Sequence, residues 1–288
     1  MSINEAAARS TIHSPSHPHT KRNNAAHLTH NGWLPNYHGA WAMITIPPLL
    51  GIAFTHARLV HIAFLGTWWI GYFCFFALLM YIKSRFARRY IPALLTYGTL
   101  TAICGVAVLV LAPYALLWVI PFLPLIAIAV EEAHCRRERS VLSGFATVLA
   151  ASLTLPVAAG FGIAAPGTGQ WQDILHIPWS IWLCTIFVFL YFAGTVFYVK
   201  TNIRERGNSK YLVASLAWHG IALACAGIAA FMFGGWWIAH ALLWLVLTFR
   251  AWIVPYRAQH GKPLTIMALG MGEVFASIVL AIVWYLCI

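Results

Sequence analysis

From His38 to the C-terminus the chain is a succession of apolar runs about 20 residues long, separated by short polar stretches. A helix rises 1.5 Å per residue, so each run matches the roughly 30 Å hydrocarbon core of a bilayer. Inside hydrocarbon, backbone N–H and C=O groups must bond within their own segment, which a helix achieves. Nine runs lie near 40–57, 60–82, 90–112, 114–132, 142–163, 178–200, 211–232, 236–256 and 264–288. The expected fold class is an all-α integral membrane protein with nine transmembrane helices. The two domains expected are a disordered polar tail over 1–36 and the helical bundle over 37–288. Composition agrees: only 9% of the residues are charged, against about 25% in soluble domains. Pro47 and Pro48 should kink the first helix, and only Ala112-Pro113 separates the third from the fourth.

The charges orient the bundle. Eighteen Lys+Arg face seven Asp+Glu, a balance that elsewhere suggests nucleic acid. In a membrane protein it sets topology, and no nucleic-acid partner is expected. Lys83, Arg85, Arg88 and Arg89 follow the second run; Arg136, Arg137 and Arg139 follow the fourth. Lys200, Arg204, Arg206 and Lys210 follow the sixth, Arg257 and Lys262 the eighth, and the tail adds Arg9, Lys21 and Arg22. The opposite loops hold only Arg58. This places the N-terminus in the cytoplasm and the C-terminus outside. The tail lacks the apolar core of a cleavable signal peptide. It carries five histidines, a pattern open to loose metal binding or plain solvation. The six cysteines form no CxxC pair and read as small apolar residues.

Two helix exits resemble one another. Tyr81-Ile82-Lys83-Ser84 leads on to Arg89, and Tyr198-Val199-Lys200-Thr201 leads on to Arg206. A parallel repeat would give two four-helix units plus a ninth helix.

Glu273 is the acidic residue set deepest in an apolar run, and such a group needs a partner or a wet cavity. Counting the helical rise from the basic loops puts His219, Arg250 and Glu273 roughly 13, 10 and 16 Å deep on three consecutive helices. They form a candidate buried polar layer, either a proton or ion site or an ion pair that fixes packing. Tyr191, Thr195, Tyr198 and Asn202 make one polar stripe on the sixth helix and should face an interior cavity, with His38 and Trp41 also lining it. Lys200, Asn202, Arg204 and Arg206 are candidates for holding an anionic head group, or serve topology beside anionic lipid. Glu131, His134 and Glu138 share a helical face and, with Glu205, form a candidate metal set; the alternative is local Glu–Arg pairing. His219 and His240 differ in depth by roughly 12 Å, too far to clamp one iron. No phosphate loop, nucleophile elbow or HExxH stands in the sequence.

Three stretches carry a resemblance: Pro35–Met43 running on to Pro47, Tyr191–Val196 with Val199–Gly207, and Gly270-Met271-Gly272-Glu273. They resemble the YwiC-like family of bacterial integral membrane proteins. That likeness implies a multi-pass protein of the bacterial cytoplasmic (inner) membrane and no particular chemistry. More distantly the chain is similar to the UbiA superfamily of intramembrane prenyltransferases, with nine helices and functional loops after helices two and six. That resemblance would imply Mg2+ held by acids in those loops. Here the first loop has no acid and the second only Glu205, so Glu131 and Glu138 would have to substitute. The function expected is binding of an anionic amphiphile, a lipid or isoprenoid phosphate, at a cytoplasm-facing polar cavity. A divergent prenyl or lipid transferase and a transporter with a buried Glu-Arg-His site are the alternatives.

Overall fold

A computed structural model describes residues 31–35, 40–137, 140–163 and 176–288. All regular structure among them is helical: α1 (Ala40–Ala53), α2 (Leu59–Lys83), α3 (Ile91–Leu111), α4 (Leu116–His134), α5 (Val141–Ile163), α6 (Trp179–Ile203), α7 (Ser209–Phe233), α8 (Trp236–Gln259) and α9 (Ile266–Cys287). Helices α2 to α9 are long and apolar enough to cross a membrane. The chain is thus a multi-helix apolar bundle, as the pattern of runs requires. Most of the tail expected over 1–36 lies outside the described residues, as does His38.

The first run is a correction. It was expected to reach residue 57, but α1 has 14 residues and ends at Ala53, roughly 21 Å of helix. The chain turns there because the Thr55 hydroxyl donates to the Gly51 carbonyl at 3.0 Å and so competes with the helical pattern. Residues 31–35 extend its reach. The Tyr97 hydroxyl donates to the Trp33 carbonyl at 3.0 Å, beside the basic loop that precedes α3. The far end of α1 meets the far end of α5, where Gly162 abuts Thr55 and His56. Residues 31–35 therefore lie at the basic end of the bundle, and the end of α1 lies at the opposite one.

The suspected repeat has a counterpart in packing. In the group α2–α5 the first helix touches the other three, and the third packs on the fourth; α6–α9 repeats these contacts and adds close packing of its second helix, α7, on its third, α8. Helix α1 lies against the last helix of each group, α5 and α9. The groups differ at their second loop. Ala112 ends α3 and a short 3-10 turn, Pro113–Ala115, leads into α4. Gly234 and Gly235, at φ +63° and +52°, make the corresponding turn between α7 and α8.

Helices α5 and α6 are the most enclosed, with 56% and 50% of their apolar windows buried against 6% for α3. Lipid is as apolar as leucine, so close backbone approach at small residues drives such packing. Ala146, Ala151, Ser152, Ala158, Ala159, Gly160 and Gly162 of α5 are all buried. His61 pins α2 to α5: its Nδ1 accepts from the Arg58 backbone N–H at 2.8 Å, so Nε2 carries the proton donated to the Ala158 carbonyl at 2.9 Å.

A methyl group on Gly51 would run into the Leu155 carbonyl oxygen and crowd Ala158. Gly51→Ala is therefore expected to destabilise the bundle by about 1–3 kcal/mol. Gly227 of α7 has nothing within 4 Å of such a methyl, and Gly227→Ala should stabilise by about 0.5–1 kcal/mol. Thermal unfolding of the two variants in one detergent checks the opposite signs.

Candidate functional site

Glu273 lies two turns into α9, whose start is fixed by the Thr265 hydroxyl accepting from the Ala268 N–H at 3.1 Å. Its side chain is 7% exposed, and its Oε1 lies 2.7 Å from Arg250 Nη1 of α8, itself 21% exposed. With both charges largely withdrawn from water, neither is left without its counterion. The other carboxylate oxygen is served by α6: Thr195 Oγ1 donates to Oε2 at 2.7 Å, and the Tyr191 hydroxyl lies 3.2 Å from it. Tyr191 also reaches the Glu273 main-chain oxygen at 3.0 Å, and Ser277 Oγ donates to that same oxygen. The Arg250 guanidinium stands over the Tyr198 ring, 4.2 Å from its centroid. A desolvated cation–π contact of this kind contributes about 2 kcal/mol.

The stripe on α6 and the charge pair are thus one cluster. Three stripe residues, at i, i+4 and i+7, face α8 and α9 together because they share one side of α6. Tyr191 and Tyr198 are buried within it. The fourth, Asn202, is buried toward the basic end; its Nδ2 donates to the Tyr198 carbonyl at 2.9 Å. Besides Glu273 Oε1, whose partner is the Arg250 charge, two polar atoms at this cluster are buried without a hydrogen-bond partner among the described residues, Asn202 Oδ1 and Arg250 Nε.

His219 is buried, as its place in the layer requires. Its Nδ1 donates to the Ser215 carbonyl at 2.7 Å on its own helix, and its ring lies against Gly194, the neighbour of Thr195. The hydrogen bonds to the Glu273 carboxylate come from Tyr191 and Thr195. Trp41 departs from expectation. It is 41% exposed and packs on Tyr72 and Phe73 of α2, outside the Glu273 cluster.

The candidate anion set is divided. Lys200 is half-buried and Arg204 exposed, while Arg206 folds back to donate from Nε and Nη2 to the Asn202 carbonyl at 3.2 and 3.0 Å. The described members of the candidate metal set are not brought together. Glu131 Oε1 accepts from the Cys135 thiol, Glu205 Oε2 accepts from Asn208 Nδ2 at 2.9 Å, and the two belong to different helix exits. His134 is exposed, and Glu138 lies outside the described residues. Among the described residues no group of three His, Cys, Asp or Glu side chains is placed to hold a metal.

A second buried polar centre escaped the sequence reading. His240 of α8 is fully buried, and its Nε2 accepts from two indoles, Trp244 Nε1 at 3.0 Å and Trp284 Nε1 at 3.1 Å. Phe187 and Trp237 close the cage, with ring centroids 4.5 and 5.5 Å from the imidazole. The spacing of His240 and Trp244, one helical turn apart, is the signal that would have found it.

Comparison with known proteins agrees with the first of the three motifs; the other two lie beyond the residues that the family model matches. Residues 34–159 match the family model described as YwiC-like protein. The chain is similar to "Uncharacterized protein YwiC" of Bacillus subtilis (strain 168), at 29% identity over 242 residues, covering 84% of this chain and 92% of the relative. It is also similar to an "Uncharacterized protein" of Haemophilus influenzae (strain ATCC 51907 / DSM 11121 / KW20 / Rd), at 26% identity over 240 residues, covering 83% and 92%. No solved structure matches.

Proposed function

We propose that this YwiC-like chain is a multi-pass protein of the bacterial cytoplasmic membrane, oriented with its basic loops inside. It receives the anionic head of an amphiphile, a lipid or isoprenoid phosphate, from that side. The observation that carries this reading is the polar stripe of α6, Tyr191, Thr195, Tyr198 and Asn202. It ends toward the basic exit at the unpartnered Oδ1 of Asn202, and its Tyr198 ring carries the Arg250 guanidinium with its unpartnered Nε. Lys200 and Arg204 stand at the same exit, on the other side of the helix. Leaving buried polar atoms unmet costs about 1–3 kcal/mol each, and a hydrated or protonated phosphate offers both a donor and acceptors.

Native mass spectrometry of the detergent-purified protein tests this. The wild type is expected to carry a phosphate-bearing amphiphile. Lys200→Ala with Arg204→Ala should lose it, and Glu132→Gln should keep it. A wild type without such a ligand, or a double variant that still carries it, ends this reading.

A second reading, a proton or ion relay in a transporter, is favoured by one feature. Both Tyr191 and Thr195 present hydroxyls to the Glu273 carboxylate, and hydroxyls can pass a proton on. Glu273→Gln separates the two. It would abolish proton uptake by reconstituted vesicles, but it should keep or raise anionic amphiphile binding, because it removes the charge competing for Arg250. Transferase chemistry through Mg2+ finds no assembled ligand set among the described residues.

A further inference from the structure

We propose a phosphate-binding site in the other four-helix group, where the exits of α2 and α4 meet. A pocket of about 260 Å3 there is lined by Ile82, Lys83, Arg85, Phe86, His134 and Arg136. Three of the six are permanent cations, a fourth can become one, and none is an acid. Of the neighbouring acids among the described residues, Glu132 pairs with Arg137 at 3.0 Å and Glu131 accepts from Cys135; Glu138 lies outside the described residues.

Backbone conformation sets this pocket apart from an ordinary basic loop. Among the described residues three non-glycine residues have positive φ: Arg85 at +60°, Phe86 at +66° and Arg136 at +57°. All three line this one pocket. Both exits close as left-handed helix caps. The Phe86 N–H bonds to the Tyr81 carbonyl at 2.8 Å, and the Arg137 N–H to the Glu132 carbonyl at 2.6 Å. Glycine is the relaxed residue in such a cap, and any side chain there is strained. At the same end of the bundle, the exit of α8 does use glycine: Gly261, at φ +79°, precedes the Lys262 N–H that bonds to the Arg257 carbonyl at 3.0 Å. The two exits around the pocket carry arginine instead.

Setting topology needs only Lys or Arg somewhere in the loop. It requires neither a strained backbone nor a shared concavity. Strain held at one place, with cations converging on it, is the pattern of a ligand clamp. Guanidinium and ammonium groups around a small hollow fit a tetrahedral oxyanion with two charges. Phe86, 58% exposed, and Ile82 form an apolar rim beside it. The shared chemistry is a phosphate group, whether on a lipid or free in the cytoplasm. The site stands apart from Arg250 and Glu273, and neither reading requires the other.

The test uses the full chain in nanodiscs of zwitterionic lipid. Inorganic phosphate is titrated by calorimetry, and discs doped with phosphatidic acid are assayed for retained lipid by native mass spectrometry. The decisive variant is Arg85→Gly with Arg136→Gly, which relaxes the backbone while deleting both guanidinium groups. It is expected to melt no lower than the wild type and to bind at least tenfold more weakly. Binding of inorganic phosphate by the wild type identifies a free phosphate ligand, and binding of phosphatidic acid alone identifies a lipid head. A wild type that binds neither overturns the proposal, as does a double glycine variant that binds as well as the wild type. Glu273→Gln, by contrast, should leave this site unchanged.

Discussion

Arg250→Met is expected to destabilise the folded bundle by about 3–5 kcal/mol, the cost of stranding a buried charge. The exposures decide this size. Glu273 and Arg250 are 7% and 21% exposed, so water replaces little of what the substitution removes. The carboxylate would keep Thr195 and Tyr191 as hydrogen-bond donors but lose its counterion. Tyr198 would lose the cation above its ring. Removing both charges together, Arg250→Met with Glu273→Leu, should recover at least half of the loss, because no stranded charge remains. Equilibrium unfolding of wild type, both single variants and the double variant in mixed micelles gives the coupling energy. Strictly additive losses would show that the two side chains do not work as a pair.

His240→Leu is the second large effect. Its Nε2 is the acceptor for the indoles of Trp244 and Trp284, so a leucine leaves two buried N–H donors without partners. At about 1–3 kcal/mol each, the expected loss is about 2–6 kcal/mol. Trp284→Phe alone should cost less, since it removes a donor and its bond together while His240 keeps Trp244. His240→Leu combined with Trp244→Phe and Trp284→Phe should unfold later than His240→Leu alone. Indole fluorescence during unfolding follows the cage directly in the variants that retain both tryptophans. If His240→Leu unfolds with the wild type, the imidazole is a space-filler.

The helices were legible because hydrocarbon thickness fixes the length of an apolar run, and the structure breaks α3 from α4 at Ala112 as the sequence does. The end of α1 was not, since Phe54 is as apolar as the helix it leaves and the turn is made by a hydroxyl bond at Thr55. Depth along a helix is linear in residue number, which brought Arg250 and Glu273 together on paper. Direction around α7 was recorded by Ser215 and His219, one turn apart on a face continued by Ala222, Ala226 and Ala229, all of them buried. The α6 stripe also recorded a direction, but not which helices stood opposite it. The left-handed caps at Arg85 and Arg136 left no trace, because the glycine that usually marks them is missing.

The position of α1 has a consequence for how the protein is made. It is made before α5 and α9, yet it packs on both. At 14 residues it is too short to be held firmly across a bilayer by its own hydrophobicity, which takes about 20. Its seat is complete only once α5 and α9 have both been made. Final assembly thereby waits on α9, which supplies both the carboxylate that neutralises Arg250 and one wall of the groove that encloses α1.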